Sequence, residues 1–168
     1  MHLPTLLQRA RRSRLSRWLL NMALPWVIPF NRPHGFTVHP LAGGGIAVRV
    51  PYRRINRNHI RGIHACALAT ASEMCSGLSV LEQLDPKHYR LIMRSLHMVY
   101  HFQAREAAVA TSGPDAGATV RQVAALLATQ ASVEHTSVVE VHDRSGRHLA
   151  TGTIVWQVKP WSKVRTKL

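Results

Sequence analysis

The apolar positions in the first fifty residues form one helical pattern followed by two strand-like patterns. Apolar residues recur every three or four positions from residue 3 onward, which predicts a single helix to about residue 24, ended by Pro25 and Pro29. Residues 36–39 are apolar enough for a short strand, and residues 46–50 alternate as a half-buried strand does. Three consecutive glycines between the two segments predict the turn of a hairpin.

The longest helical pattern runs from about Gly62 to Leu84 and is apolar on nearly every face. Such a helix must be covered almost all round. Further segments follow in the order strand, strand, helix, strand, strand, at residues 89–102, 107–112, 120–127, 133–142 and 149–159. There is too little helix between the strands for a parallel sheet. The sequence therefore predicts an α+β fold in which an antiparallel sheet surrounds one buried helix.

A chain of 168 residues suits one domain, and we expect a helical segment at residues 1–30 to pack on a single domain at residues 31–168. The first thirty residues superficially imitate a signal peptide. However, Asn21 and the two prolines interrupt the apolar stretch, and no cleavage site of small residues follows it.

The charge balance changes the expected partners. Lys and Arg number 22 against 8 Asp and Glu, a net charge of +14 with His neutral. That excess favours an anionic partner, which can be nucleic acid, a membrane surface, an acidic carrier protein or the phosphates of coenzyme A. Aromatic residues make up only 6% of the chain and no nucleic-acid-binding motif is recognisable, so nucleic acid is disfavoured.

The cysteines and histidines indicate the redox and metal chemistry. Cys66 and Cys75 lie nine residues apart on the predicted central helix, on opposite faces, and cannot form a disulfide within it. The eleven histidines show no metal-binding spacing. We therefore expect reduced thiols, no metal ion and a cytoplasmic location.

A single carboxylate, Glu73, lies two turns inside the apolar helix. Burial disfavours the charged form of an acid, so such a residue is usually retained for a partner or for chemistry. His64 lies nine residues earlier, which places it on the opposite face and roughly 13 Å away along the axis. If both residues act in one site, that site must be built between two copies of the chain. The alternative is a structural acid paired with an arginine.

Residues 57–73 read RNHIRGIHACALATASE. The arrangement Asn-(x)3-Gly-x-His, followed nine residues later by an acid in a long apolar helix, resembles the hotdog-fold acyl-CoA thioesterases. The phenylacetyl-CoA thioesterase type is one similar branch, and a bacterial hotdog family catalogued only as a domain of unknown function is more similar still. The thioesterases usually have Gly-Gly where this chain has Ala65-Cys66, and many have Asp at the position of Glu73.

The resemblance implies a role for each part of this segment. Glu73 would act as general base or as nucleophile on a thioester carbonyl. The backbone N–H groups of Gly62 and Ala65, at the positive end of the helix dipole, would polarise the carbonyl oxygen. Asn58 would orient water or the thioester, and His64 would line the mouth of the site. His64 can equally be an ordinary residue at a helix start.

Candidate substrate-binding residues surround that core. Four arginines just before the helix suit the phosphates of coenzyme A, although a solvated basic surface is an equal alternative. Thr70 is one of the small neighbours that leave room beside Glu73, and a Ser or His on the next strand can support the acid. These candidates are Arg53, Arg54, Arg57, Arg61, Thr70, Ser95 and His97.

Three functions remain open from the sequence. The first is hydrolysis of acyl-CoA or acyl-carrier protein by a homodimer or a dimer of dimers, with coenzyme A as part of the substrate and no separate cofactor. The second is a hotdog protein that binds acyl thioesters without turnover. The third, suggested by the charge, is binding to nucleic acid or to an anionic membrane.

Overall fold

The helices and strands follow one another as the apolar pattern predicts, except that the first helix is broken in two. A computed structural model describes residues 2–42, 44–113 and 116–164. Gly43, in the predicted hairpin turn, lies outside the described residues. The elements are α1 (Leu3–Arg12), α2 (Arg14–Val27), β1 (Thr37–Pro40), β2 (Ile46–Val50), α3 (Ala65–Gln83), β3 (Tyr89–Tyr100), β4 (Ala108–Ser112), α4 (Ala116–Leu126), β5 (Val133–Asp143) and β6 (His148–Pro160). Short 3₁₀ turns occupy Pro29–His34, Arg54–Asn56 and Trp161–Lys163.

The six strands form one sheet in the order β1-β2-β4-β5-β6-β3, and every neighbouring pair is antiparallel. β1 and β2 form the predicted hairpin. From Val133 to Val141 in β5, buried and exposed residues alternate, because successive side chains point to opposite faces of a sheet. The buried face packs on α3, which contacts β2, β4, β5, β6 and β3. The sheet therefore wraps around the central helix as the sequence predicts.

Close contacts fix α3 against the sheet. The indole N–H of Trp156 in β6 donates to Ser76 Oγ at 3.0 Å. A Cβ at Gly77 would lie 3.2 Å from the same indole ring, so a larger residue would push helix and strand apart. Gly152 has a similar role, because a Cβ there would lie 3.2 Å from the Cβ of Ser72.

The prediction of one continuous helix over residues 3–24 is wrong, because the segment forms two helices. Ser13 has extended dihedral angles (φ −124°, ψ 124°), so it ends α1 and caps α2, and its Oγ accepts from the Ser16 N–H at 3.2 Å. Pro25 does not end the helix either. It lies in the last turn of α2, which continues to Val27, and Ile28 before Pro29 leaves the helical conformation, as residues before proline tend to do.

The two N-terminal helices pack on the rest of the fold through different contacts. Leu7 in α1 is fully buried in the same apolar core as the sheet and α3. In α2, the Asn21 side chain donates to the carbonyl of Val38 in β1 at 2.9 Å and accepts from the Val38 N–H at 2.6 Å. The Asn21 amide therefore occupies the outer edge of β1 as a neighbouring strand would.

The opposite edge of the sheet is open in the described residues. β3 pairs with β6 on one side along eleven of its twelve residues, and a bulge at Arg94 interrupts the register between Met93 and Ser95. All of its side chains are exposed or only partly buried. Ile92, Met93, Val99 and Tyr100 are each more than 40% exposed. A long apolar edge strand of this kind is a surface that proteins normally cover.

Candidate functional site

One face of α3 is left uncovered by the sheet, and Glu73 lies on it. Cys66 is exposed, and Ala69, Thr70 and Glu73 are partly buried, at spacings that place all four on one stripe. The stripe opens into a largely apolar cavity of about 420 Å³. The other walls come from the segment after α2 and from β3, namely Ile28, Phe30, Asn31, Met93 and Leu96.

Glu73 is an acid without a charged partner in the part of the chain that the structure describes. Burial raises the pKa of its carboxyl above the ordinary value. A second acid on the same helix, Glu82, is paired with Arg11. Glu82 is thus the acid of this helix that pairs with an arginine, which is the structural role considered above for Glu73. Glu73 instead faces a cavity large enough for part of a ligand.

The start of α3 is set by hydrogen bonds from the residues before it. The N–H groups of Ile63 and His64 donate to the carbonyls of Ala104 and Asn56, each at 2.7 Å, which keeps both residues out of the helix. The predicted start at Gly62 is therefore wrong by three residues. His64 caps the helix, and its Nδ1 accepts from the Cys66 N–H at 3.1 Å.

Asn58 and Gly62 stabilise this turn through their contacts with each other. The Gly62 N–H donates to Asn58 Oδ1 at 2.9 Å, and the Ile60 N–H donates to the same oxygen at 3.2 Å. The Gly62 N–H is thus engaged within the turn and does not point at a ligand as expected. A Cβ on Gly62 would lie 2.8 Å from the side chain of Gln103, so a larger residue here would displace that side chain.

The Ala65 N–H remains as the candidate backbone donor. Ala65 is the first residue of α3, so its N–H has no acceptor inside the helix, and it finds none elsewhere in the described residues. Ala65 and Asn58 line a second cavity of about 280 Å³, which also includes Tyr100. Eight residues separate Ala65 from Glu73, about 12 Å along the helix. The two candidate groups therefore open into two different cavities of one chain.

Of the other predicted residues Thr70, His64, Ser95 and His97, only Thr70 lines the Glu73 cavity in the described residues. The Thr70 Oγ1 donates to the Cys66 carbonyl at 2.8 Å. His64 is exposed at the helix start. Ser95 and His97 pair in register with Val155 and Thr153, which lie on the sheet face that turns away from α3. These two side chains are therefore not brought to Glu73.

The four candidate arginines lie on the loop before α3 and are all exposed: Arg53, Arg54, Arg57 and Arg61. The Arg57 guanidinium lies 5.2 Å from the ring centroid of Tyr52. Arg61 has a left-handed backbone with φ of 61°, which is uncommon for a residue with a side chain. The loop thus presents several cations outside the described walls of the two cavities.

Sequence reasoning missed the walls that complete the Glu73 cavity. Ile28, Phe30 and Asn31 come from a segment far away in sequence, which reaches the cavity only because α2 packs across β1. Met93 and Leu96 share the inner face of β3 although they are three residues apart, because the bulge shifts the alternation between them. The contact between the Asn31 Nδ2 and Met74 Sδ, at 3.3 Å, gives no signal in the sequence.

Among residues 2–42, 44–113 and 116–164, no three His, Cys, Asp or Glu side chains are close enough together to hold a metal ion. None of the helices in that part of the chain has the length and apolar character needed to cross a membrane.

Comparison with known families and structures gives one family and one fold. Residues 16–158 match the model of a family described as "Domain of unknown function (DUF4442)". No curated protein matches the chain.

Several solved structures are similar in fold. A protein of unknown function from Pseudomonas aeruginosa, called a probable thioesterase, is 22% identical with a TM-score of 0.75, over 84% of this chain and 94% of that one. A proposed thioesterase from Shewanella oneidensis is 14% identical with a TM-score of 0.68, over 86% and 97% of the two chains. A mutant thioesterase from Pseudomonas aeruginosa is 10% identical with a TM-score of 0.68, over 89% and 97%. The fold is therefore the hotdog fold, as the resemblance of residues 57–73 implies.

Proposed function

The chain belongs to the DUF4442 family, and from this premise we propose that it binds acyl thioesters and hydrolyses them, with Glu73 as general base or nucleophile. The observation that carries the proposal is the unpaired carboxylate on the uncovered stripe of α3, inside an apolar cavity. An acyl chain suits the apolar walls, and a carboxylate whose pKa is raised by burial is a stronger base than an exposed one. The fold of the solved thioesterases supports the same assignment.

The second element of the proposed site is the Ala65 N–H. It lies at the positive end of the α3 dipole and is free to donate to an oxygen that gains charge as the thioester carbonyl is attacked. The side-chain Oδ1 of Asn58 holds the turn that positions this N–H, by accepting from the Gly62 N–H. With the Gly62 N–H engaged by Asn58, Ala65 is the donor that we assign to the carbonyl.

We propose that Glu73 of one copy and Ala65 of another complete one site. Both cavities border β3, the Glu73 cavity at Leu96 and the Ala65 cavity at Tyr100. Pairing of two β3 edges about a two-fold axis runs the strands in opposite directions. The Glu73 cavity of one copy would then approach the Ala65 cavity of the other, and the exposed apolar residues of β3 would be covered.

We propose that the part of the substrate that carries the acyl group, coenzyme A or a carrier protein, binds at the exposed arginines before α3. Coenzyme A and a phosphopantetheine carrier both present anionic phosphate, which guanidinium groups bind well. The coenzyme is then part of the substrate, and the proposed chemistry uses no further cofactor. We place this activity in the cytoplasm, because both cysteines, exposed Cys66 and buried Cys75, are free thiols.

A thioesterase assay over acyl-CoA chain lengths tests the proposal. Glu73→Gln keeps the side-chain volume and removes the charge, so hydrolysis should fall by about a hundredfold or more. Glu134→Gln, in an exposed acid of β5, is the matched control and should keep the wild-type rate. A wild-type protein that binds acyl-CoA without hydrolysing it would instead establish the non-catalytic function, and Glu73→Gln with full activity would remove Glu73 from the mechanism.

A further inference from the structure

Helix α2 carries an apolar face on each of two opposite sides. Leu20 and Leu24 point into the core and are at most 5% exposed. The opposite side carries residues at positions i, i+3, i+4, i+7 and i+11, which share one stripe of a helix. These outward residues are Leu15, Trp18, Leu19, Met22 and Trp26, with exposed fractions of 66%, 58%, 44%, 53% and 70%.

Exposed apolar residues continue to the last residue of the helix and beyond it. Val27 is 68% exposed and Phe30, in the following 3₁₀ turn, is 70% exposed. Single exposed apolar residues are common. A group that includes two tryptophans and a phenylalanine instead marks a surface that binds a protein, a ligand or a membrane. We call residues 15–30 on this outward side the α2 face.

The segments that carry and flank the α2 face in sequence contain positively charged residues and no acidic ones. The first 72 residues contain eleven arginines and no Asp or Glu. Arg9, Arg12 and Arg14 are exposed just before the face, and Arg32 is exposed just after it. The Arg32 guanidinium lies 4.3 Å from the ring centroid of Trp26, so a cation lies directly against the apolar surface.

We propose that the α2 face binds the surface of an anionic lipid bilayer, with α2 lying in the plane of the interface. Tryptophan favours the boundary between headgroups and acyl chains, and arginine can bury its methylenes while its charge meets a lipid phosphate. A row of large apolar side chains with arginines on either side of it in sequence matches that chemistry. Covering the face with a second copy would bring two acid-free, arginine-rich segments together and is opposed by their charge.

The docking surface adjoins the proposed acyl cavity. Phe30 belongs to the α2 face and also lines the Glu73 cavity, with Ile28 beside it. Docking would therefore set the cavity next to the lipid. This inference does not depend on hydrolysis, because the surface and its charge exist whether or not Glu73 is catalytic.

Flotation of the full chain with lipid vesicles tests the proposal. The protein should float with vesicles of phosphatidylglycerol and phosphatidylcholine and stay behind with vesicles of phosphatidylcholine alone. The double change Trp18→Ser with Trp26→Ser should lower partition by about tenfold or more, because it removes two large apolar side chains from the lipid. Val138→Ser, at an apolar position 55% exposed on β5, is the control and should not change it.

The charge contribution is tested separately. Arg12→Gln and Arg14→Gln should each lower partition about fivefold at an anionic surface, and the loss should shrink as salt is added. Arg144→Gln, in the exposed turn between β5 and β6, is the control and should bind as the wild type does.

Three results would overturn the proposal. One is equal binding to neutral and anionic vesicles, and another is binding that survives the double tryptophan change. The third is a change in sedimentation of the tryptophan variant without lipid, which would show that another copy of the chain covers the α2 face. Hydrolysis of a short, soluble acyl-CoA without vesicles should be equal in wild type and tryptophan variant, so a failure of docking is separable from a failure of the proposed activity.

Discussion

Arg11 in α1 binds both carboxylate oxygens of Glu82 in α3. Its Nε lies 2.8 Å from Oε1, and its Nη2 donates to Oε2. The pair is well buried, with side-chain exposures of 16% for Arg11 and 4% for Glu82. The same guanidinium donates to the carbonyls of Leu41 and Gly45. One side chain thus joins the N-terminal helix, the central helix and the β1–β2 hairpin.

Removing one partner of this buried pair should destabilise the protein strongly. Arg11→Met leaves the Glu82 charge uncompensated, which typically costs about 3–5 kcal/mol of the free energy of unfolding. Arg9→Met changes an exposed arginine of the same helix and should cost less than about 0.5 kcal/mol. Chemical denaturation measures both. Equal stability of the two variants would show that the ion pair does not hold the helices together.

The pH dependence of hydrolysis should follow the ionisation of Glu73. The carboxylate is the active form of a base or nucleophile, and burial raises the pKa of Glu73 above its ordinary value of 4.5. The rate kcat/KM should therefore rise with pH and level off at a pH above that value. A rate that is flat through the region above pH 4.5, or falls there, would contradict a catalytic carboxylate.

The same raised pKa predicts how Glu73 affects stability. The folded state binds this proton more tightly than the unfolded state, so the free energy of unfolding falls as the pH rises from 4.5 through the folded pKa. Glu73→Gln removes that loss and should raise the melting temperature at pH 7. The gain should disappear below pH 4.5, where the wild-type acid is protonated in both states. A variant that melts lower at pH 7 would mean that the charged carboxylate stabilises the fold.

Ala65→Pro should delete the proposed carbonyl donor without disturbing the helix. Proline is favoured at the first helical position and lacks the N–H, and His64 before it already has dihedral angles that proline tolerates (φ −64°, ψ 138°). We expect a loss of about a hundredfold or more in kcat, with little change in the melting temperature. Ala131→Pro, which introduces the same residue into an exposed loop, is the control and should keep the wild-type rate.

Mixing two inactive variants should restore activity if the site is shared. A pair formed from one Glu73→Gln subunit and one Ala65→Pro subunit contains one complete site. With random exchange, about a quarter of the wild-type activity should return, because half of the pairs are mixed and each has one of two sites intact. No recovery after verified subunit exchange would show that Glu73 and Ala65 do not act across two copies.

The exposed arginines should matter more for coenzyme A than for the acyl chain. Arg54→Gln together with Arg57→Gln should weaken acyl-CoA binding by up to about fivefold per charge, since exposed ion pairs contribute little. Binding of the corresponding acyl-pantetheine, which lacks the nucleotide phosphates, should hardly change. Equal loss for both ligands would identify these side chains as a solvated surface.

Much of the fold was predictable because apolar and polar residues alternate along its strands. The predicted and observed strands differ by only one or two residues at most ends, since a buried face imposes a period of two. The family resemblance of residues 57–73 located Glu73 and the turn before α3. The break at Ser13 was not predictable, because a serine is tolerated within a helix and its extended angles depend on how α1 packs.

The remaining parts of the site depend on tertiary contacts. Phe30 reaches the Glu73 cavity only through the packing of α2, and the bulge in β3 turns Ser95 away from α3. Gly62 was predicted to face a ligand, whereas its hydrogen is held by Asn58 and its missing side chain makes room for Gln103. Asn58 belongs to the same motif as Gly62, whereas Gln103 is distant in sequence and no linear pattern connects it with Gly62.

Asn21 determines how far the sheet can extend. By satisfying both backbone groups of Val38, its amide closes the β1 edge to further strands, while β3 at the other end stays open in the described residues. A sheet that is closed at one end can join another only through the remaining end. Pairing through β3 would therefore join two copies and no more, which would protect the chain from growing into a fibre although it exposes a long apolar edge.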